Sequence, residues 1–135
     1  MGEPLKLEEV NRMMGASLKK ALSMDIRPVA IAILDARGDL LAFNRMDGAM
    51  WRTVSVAQGK AAASAAFGQP SVELQDRYNT PVMNALTLSE NGRLVPWQGA
   101  LPIKRADGSL VGAIGVSGAK SDEDEAVGQA GIDVL

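Results

Sequence analysis

"VAIAILDARGDLLAFNRMDGA", residues 29–49, is the stretch on which the fold turns. Two runs of aliphatic and β-forming residues, 29–35 and 40–46, flank Ala36-Arg37-Gly38-Asp39, a connection short enough to close an antiparallel hairpin. The same pattern returns in "GALPIKRADGSLVGAIGVSG", residues 99–118, where Asp107-Gly108 marks a turn between runs near 99–105 and 109–117. The echo between "RGDLLAF" and "DGSLVGAI" reflects shared turn chemistry, because periods that signal repeat architectures recur several times.

The segments around these hairpins read as helices. Leu7, Val10, Met14, Leu18 and Ala21 fall three or four apart, with Glu8, Glu9, Arg12, Lys19 and Lys20 mostly to the sides, which predicts an amphipathic helix ending near Met24. "TVSVAQGKAAASAAF", residues 53–67, is rich in alanine and is stopped by Gly68 and Pro70. Thr80-Pro81 opens a short helix through Ser89, Asn91-Gly92 is a turn, and Leu94 to Trp97 reads as a strand or an extended lid. Ser121 to Leu135 is the final helix. Strands joined by hairpins and covered by helices predict an α+β fold, an antiparallel sheet flanked by α-helices, in one domain over residues 1–135.

Composition narrows the chemistry. The chain of 135 residues is long enough to bury about two-thirds of its surface. No apolar run approaches the roughly 18 residues that a membrane-spanning helix requires. "MGEPLKLEEV" has acids where a signal peptide places basic and then apolar residues, so the expected location is the cytoplasm. Cysteine and histidine are absent, which removes disulfides, thiolate and typical zinc sites, and Ser-His-Asp or Cys-His catalysis. The net charge is −2: residues 1–67 carry nine Lys/Arg against seven Asp/Glu, and the remainder five against nine. No basic stripe interleaved with aromatic residues appears, so nucleic acid is not an expected partner.

Three clusters are candidates for function. "VGAIGVSGAKSDEDEA", residues 111–126, is neither a Walker loop, which needs Lys-Ser/Thr after its last glycine, nor a dinucleotide fingerprint entering a helix from a βαβ unit. Gly112, Gly115 and Gly118 lie along a strand and let a neighbouring backbone or a ligand come close. Ser121 and Asp124 match the first residue and the third helical position of a capping box, and acids in a first turn suit the helix dipole. Only Asp122 and Glu125 share a face, which is thin provision for a divalent ion, and no metal site is expected. "NRMDGA", residues 44–49, brings Arg45, Asp47 and Gly48 to one loop, either as a turn in which Asp47 bonds nearby amides or as ligand-binding groups. Lys60 shares a helical stripe with Val56, Ala63 and Phe67, beside a second stripe of Val54, Ala57, Ala61 and Ala65, while Ser55, Gln58 and Ala62 look outward. It is either a stem whose ammonium reaches water or a partly desolvated amine that meets a ligand carboxylate.

Four pieces in this order, residues 29–49, "GKAAASAAFGQPS", "QGALPI" and "DGSLVGAIGVSGAKSDEDEAVGQAG", give the chain a resemblance to the GlcG/HbpS-like proteins, also seen as the C-terminal domain of PduO-type proteins. The resemblance covers nearly the whole chain. It implies a profilin-like fold, assembly into homo-oligomers, and, in some members, binding of haem or another tetrapyrrole. It also implies that Arg45, Asp47, Lys60 and the strand end from Gly115 through Ser117 to Gly118 face a shared pocket. An iron porphyrin needs an axial ligand, and without His only Met, Tyr78 or Lys remain, so the cofactor stays unidentified.

Two functions of different class are compatible with these residues. One is a small-molecule binding protein with a pocket between the sheet and residues 69–98, where Trp51, Trp97, Tyr78 and methionines give apolar contact and Arg45 or Lys60 orients an anionic group. The other is an isomerase or lyase for a small aromatic or hydroxy acid, in which Lys60 or Asp47 moves a proton. A role as an assembly unit is the third possibility.

Overall fold

A computed structural model describes residues 2–135. The elements run α1 (Leu7–Ser23), β1 (Ala30–Asp35), β2 (Leu40–Arg45), α2 (Thr53–Phe67), a 3₁₀ segment (Ser71–Arg77), α3 (Pro81–Ser89), β3 (Ala100–Lys104), β4 (Leu110–Ser117) and α4 (Ser121–Ile132). Both hairpins form as the turn residues predict, and the four strands make one antiparallel sheet in the order β2-β1-β4-β3. The fold is therefore α+β in the expected profilin-like arrangement, with helices on both faces of the sheet. No helix among the described residues is long and apolar enough to cross a membrane.

The two faces of the sheet are filled differently. On one, Ile31, Ile33, Ile114, Val116, Leu101 and Ile103 pack against Val10, Met13 and Met14 of α1 and Val127 of α4. Each fully buried side chain among them contributes about 1.5–3 kcal/mol relative to an exposed one. Ser17 Oγ donates to the Val127 carbonyl at 2.8 Å and joins the two helices. On the other face α2 presents Ala57, Ala61, Ala63 and Ala65 to Ala30, Ala32, Leu34 and Ala113. Small residues on both sides let helix and sheet approach closely, and a Cβ at Gly115 would collide with the Ala57 carbonyl oxygen and with Ala61. Gly115 is therefore a packing glycine beneath α2.

Residues 69–98 were the least legible part. Residues 71–77 form the 3₁₀ segment, which no local signal predicted, and Ser71 Oγ accepts from Ala100 N–H at 2.9 Å, fixing the start of β3. Leu94 to Trp97 is an extended strap and not a strand: Val95 N–H donates to the Gly59 carbonyl at 3.0 Å. The strap corrects the expected orientation of Ala62, which is buried together with Leu94 and not turned outward. The first helix is likewise rotated, since Met13 and Ser17 are buried whereas Leu7 is exposed.

The N-terminal segment is held to the β3–β4 turn by Arg105. Its guanidinium donates to the carbonyls of Glu3 and Pro4 and to both carboxylate oxygens of Glu9, with the Nη2–Oε1 contact at 3.0 Å. Those bonds, with the Lys6 N–H, hold the Glu9 carboxyl at about 2, below its ordinary 4.5. A carboxyl depressed on folding adds stability that is full above its unfolded value and is lost as pH falls through the folded one. The unfolding midpoint in urea should therefore fall between pH 4.5 and about 2. The Glu9→Gln variant should lose less over the same interval; equal losses would show that the contact does not form.

Candidate functional site

The sheet ends in a polar hollow because α2 carries a lysine on its inward side. Lys60 lies one turn from both Ala57 and Ser64, so the helix that packs on the sheet buries it, and it is only 5% exposed. Its chain runs past Gly99, whose φ of +139° and missing side chain matter: a Cβ there would sit 2.7 Å from Lys60 Nζ. The ammonium donates to the Val116 carbonyl at 3.0 Å and to Asp124 Oδ2 at 3.1 Å. The alternative of a stem reaching water is thus corrected, since the head group as well as the stem is buried.

Asp124 is the partner that local reasoning assigned elsewhere. The helix α4 is capped from Lys120, not from Ser121, and Glu123 occupies the third helical position, accepting from the Lys120 N–H at 3.0 Å. This one-residue shift frees Asp124 from the cap. It turns inward, 1% exposed, and its Oδ1 accepts from the Ala119 N–H at 3.0 Å. Burial pushes the Asp124 carboxyl above its ordinary value of 3.8, against the pull of the Lys60 ammonium and the Ala119 N–H. A signal for its position exists in the sequence: Asp124, Val127, Gly128 and Gly131 form one helical stripe, so the acid heads an apolar face, as Lys60 interrupts one.

A cavity of about 230 Å³ opens on this pair, walled by Thr53, Ser117, Gly118 and Trp97, with Arg27 and Arg52 also lining it. Both arginines are exposed and neither makes an ion pair among the described residues. An ammonium has three N–H groups, of which Val116 and Asp124 take two, leaving one donor for the cavity. Gly118 permits the narrow wall: a Cβ on it would collide with the Pro28 carbonyl, and its φ is +134°.

Of the residues singled out by sequence, Lys60, Ser117, Gly118 and Trp97 come together here. Arg45, Asp47 and Gly48 do not line this cavity: all three are exposed, and Arg45 sits on the edge strand opposite Ala30. Gly48 takes φ +83° in a turn closed by Ala49 N–H on the Met46 carbonyl. The space expected against residues 69–98 is present as two separate cavities of about 290 Å³ each, one touching Leu34, Gly59, Arg93 and Val95 and the other Ala62, Leu86, Arg93 and Leu94, whereas Trp97 alone of that segment reaches the wall of the Lys60 cavity. Trp51 is 81% exposed, and Tyr78 meets Trp97 edge to face with ring centres 5.6 Å apart. Arg27, Arg52, Thr53, Gly99 and Asp124 were missed, four of them because their roles depend on contacts far apart in the chain. No group of three or more Asp or Glu able to hold a metal ion occurs among the described residues.

The sequence model of the family described as "Haem degrading protein HbpS-like" matches residues 5–133. The chain is 28% identical over 130 residues to an uncharacterised 15.0 kDa protein of Citrobacter freundii, covering 96% of this chain and 90% of that one. Among solved structures it is similar to a double mutant of Streptomyces reticuli HbpS, at 32% identity and TM-score 0.84, covering all of this chain and 89% of the other. It is also similar to a PduOC–haem complex, at 26% identity and TM-score 0.87, covering 98% of this chain and 96% of that one.

Removing one partner of a buried pair strands the other charge, at a cost of about 3–5 kcal/mol, whereas replacing both with apolar groups is often neutral. Asp124→Ala should lower stability to urea by that amount. The double substitution Lys60→Met, Asp124→Leu should cost less than Asp124→Ala alone, and strictly additive losses would contradict the pairing.

Proposed function

The chain belongs to the HbpS-like family, and we propose that it works as a single-domain binding protein for a small anionic molecule held in the Lys60 cavity. One observation carries the reading: a buried ammonium with a donor to spare forms part of the cavity, and two arginines without ion-pair partners among the described residues line it. Three cations against the single carboxylate of Asp124 favour an anion, and a desolvated ammonium attracts one more strongly than a surface lysine does. The volume, about 230 Å³, lies under the roughly 300–1,000 Å³ of drug-sized ligand sites, which suits a short carboxylate or a phosphate. Trp97 gives the remainder of such a ligand an apolar wall.

The solved haem complex of a relative supports a small-molecule role, but haem itself does not fit these residues. The chain has no His or Cys to bind iron, and the Lys60 cavity, with Met50 as its one thioether, is at about 230 Å³ too small for a porphyrin. Association of copies belongs to the same reading, supported by the exposed Leu40 and Leu41 on edge strand β2 and by Val82 and Leu88 on α3.

Calorimetric titration with acetate, pyruvate and inorganic phosphate tests the site. At least one of the three should bind, and Arg27→Ala and Arg52→Ala should each weaken it about tenfold, equivalent to about 1.4 kcal/mol. As surface changes they should alter stability by no more than about 0.5 kcal/mol. Unchanged affinity in both variants would overturn the reading, and a monomer mass by light scattering would remove the association.

A further inference from the structure

Resting on that anion-binding reading, we propose that Lys60 is a nucleophile that forms a Schiff base with short 2-oxo acids. The argument begins with what the Lys60–Asp124 pair does not explain. A buried ion pair is no better for stability than apolar side chains of similar volume, so two helices need no ammonium to be joined here. The pair also does not close on itself, because the cavity reaches Lys60 and one N–H remains unspent. Among the described residues the other lysines, Lys6, Lys19, Lys20, Lys104 and Lys120, are exposed and make no ion pair. Lys60 alone combines burial, a carboxylate within 3.1 Å and an opening to a ligand-sized space.

Those are the conditions a lysine needs to attack a carbonyl. The amine must lose a proton, and the acceptor must stand beside it, as Asp124 does. Burial favours the neutral carboxylic acid at Asp124, so proton transfer from the ammonium exchanges a charged pair for a neutral one in a dry site. Rotation about Cε–Nζ then turns the lone pair to the cavity that Lys60 lines. Arg27 and Arg52 hold the carboxylate of the oxo acid, and the ketone carbon next to it meets Nζ.

The step balances without a co-reactant. The Nζ lone pair forms the C–N bond while the carbonyl π pair moves to oxygen, which takes the proton from Asp124. The nitrogen, now positive, returns a proton to Asp124. That proton leaves with the hydroxyl as water while the nitrogen lone pair forms the C=N bond. The products are an iminium on Lys60, one water and the Asp124 carboxylate, so the charge equals that of the starting ammonium and carboxylate. Such an iminium draws electrons from the adjoining carbon, the chemistry by which lysine enzymes break or shift bonds beside a carbonyl.

Trapping decides the matter on the unmodified protein, so no variant has to fold. Incubation with pyruvate and sodium cyanoborohydride, followed by intact mass and peptide mapping, should place a carboxyethyl group on Lys60 ahead of the exposed lysines. Asp124→Asn, with its fold checked by circular dichroism, should slow that labelling about 100-fold, the scale of a positioned proton-transfer group. If calorimetry shows any of the three anions binding while Lys60 stays unlabelled by pyruvate, the nucleophile is overturned and the binding reading stands. If none of the three probe anions binds and Lys60 stays unlabelled, both fall.

Discussion

The contact between Lys60 and Asp124 joins three layers at one end of the sheet. Lys60 belongs to α2 on one face, Asp124 to α4 on the other, and the Val116 carbonyl that shares the ammonium belongs to the strand between them. The lysine reaches past the start of β3 at Gly99, where any side chain would block it. In a low-dielectric interior such a pair is costly to bury and costlier to break, so the end of the sheet, the N-terminus of α4 and the middle of α2 are bound to one geometry. Asp124 extends the constraint into the backbone by accepting from the Ala119 N–H, which fixes the turn from β4 into α4.

The cavity follows from this arrangement. Close packing of α2 on the sheet depends on alanines and on Gly115, and it brings Lys60 down to the level of the strand ends. Beyond the last strand residue the corner between α2 and α4 is lined by Thr53, Ser117 and Gly118, with Trp97 and Met50 on its apolar side. Small and polar walls around a buried cation leave space that an anion is suited to occupy. The remote tie between Arg105 and Glu9 does comparable work at the other end of the fold but encloses no ammonium of this kind.

The hairpins were legible because their information is local: Gly38 and Gly108 take the positive φ that their turns demand, and β-forming runs flank them. Helix α1 was legible for the same reason, although its buried stripe is turned toward Met13 and Ser17 by the docking of α4. The 3₁₀ segment and the strap over α2 were not, since their bonds go to Ala100 and Gly59, far away in the chain. At the site, Lys60 stood out as a charge among alanines, but the choice between water and burial depends on a partner 64 residues on. The capping rule recognised the right helix start to within one residue, and that residue decided the role of Asp124. Arg45 and Asp47, grouped by a resemblance and by a shared loop, proved to lie exposed at the end of edge strand β2 and in the turn after it, respectively.

The state of the Lys60 ammonium is the most direct test of all this. Proton–nitrogen NMR of the lysine side-chain amines, at a pH and temperature where surface ammonium groups vanish through exchange with water, should retain one cross-peak, assigned to Lys60 by its loss in Lys60→Arg. Addition of an anion that the cavity binds should shift that peak. A spectrum with no protected ammonium would contradict the buried pair, and with it the account of the site.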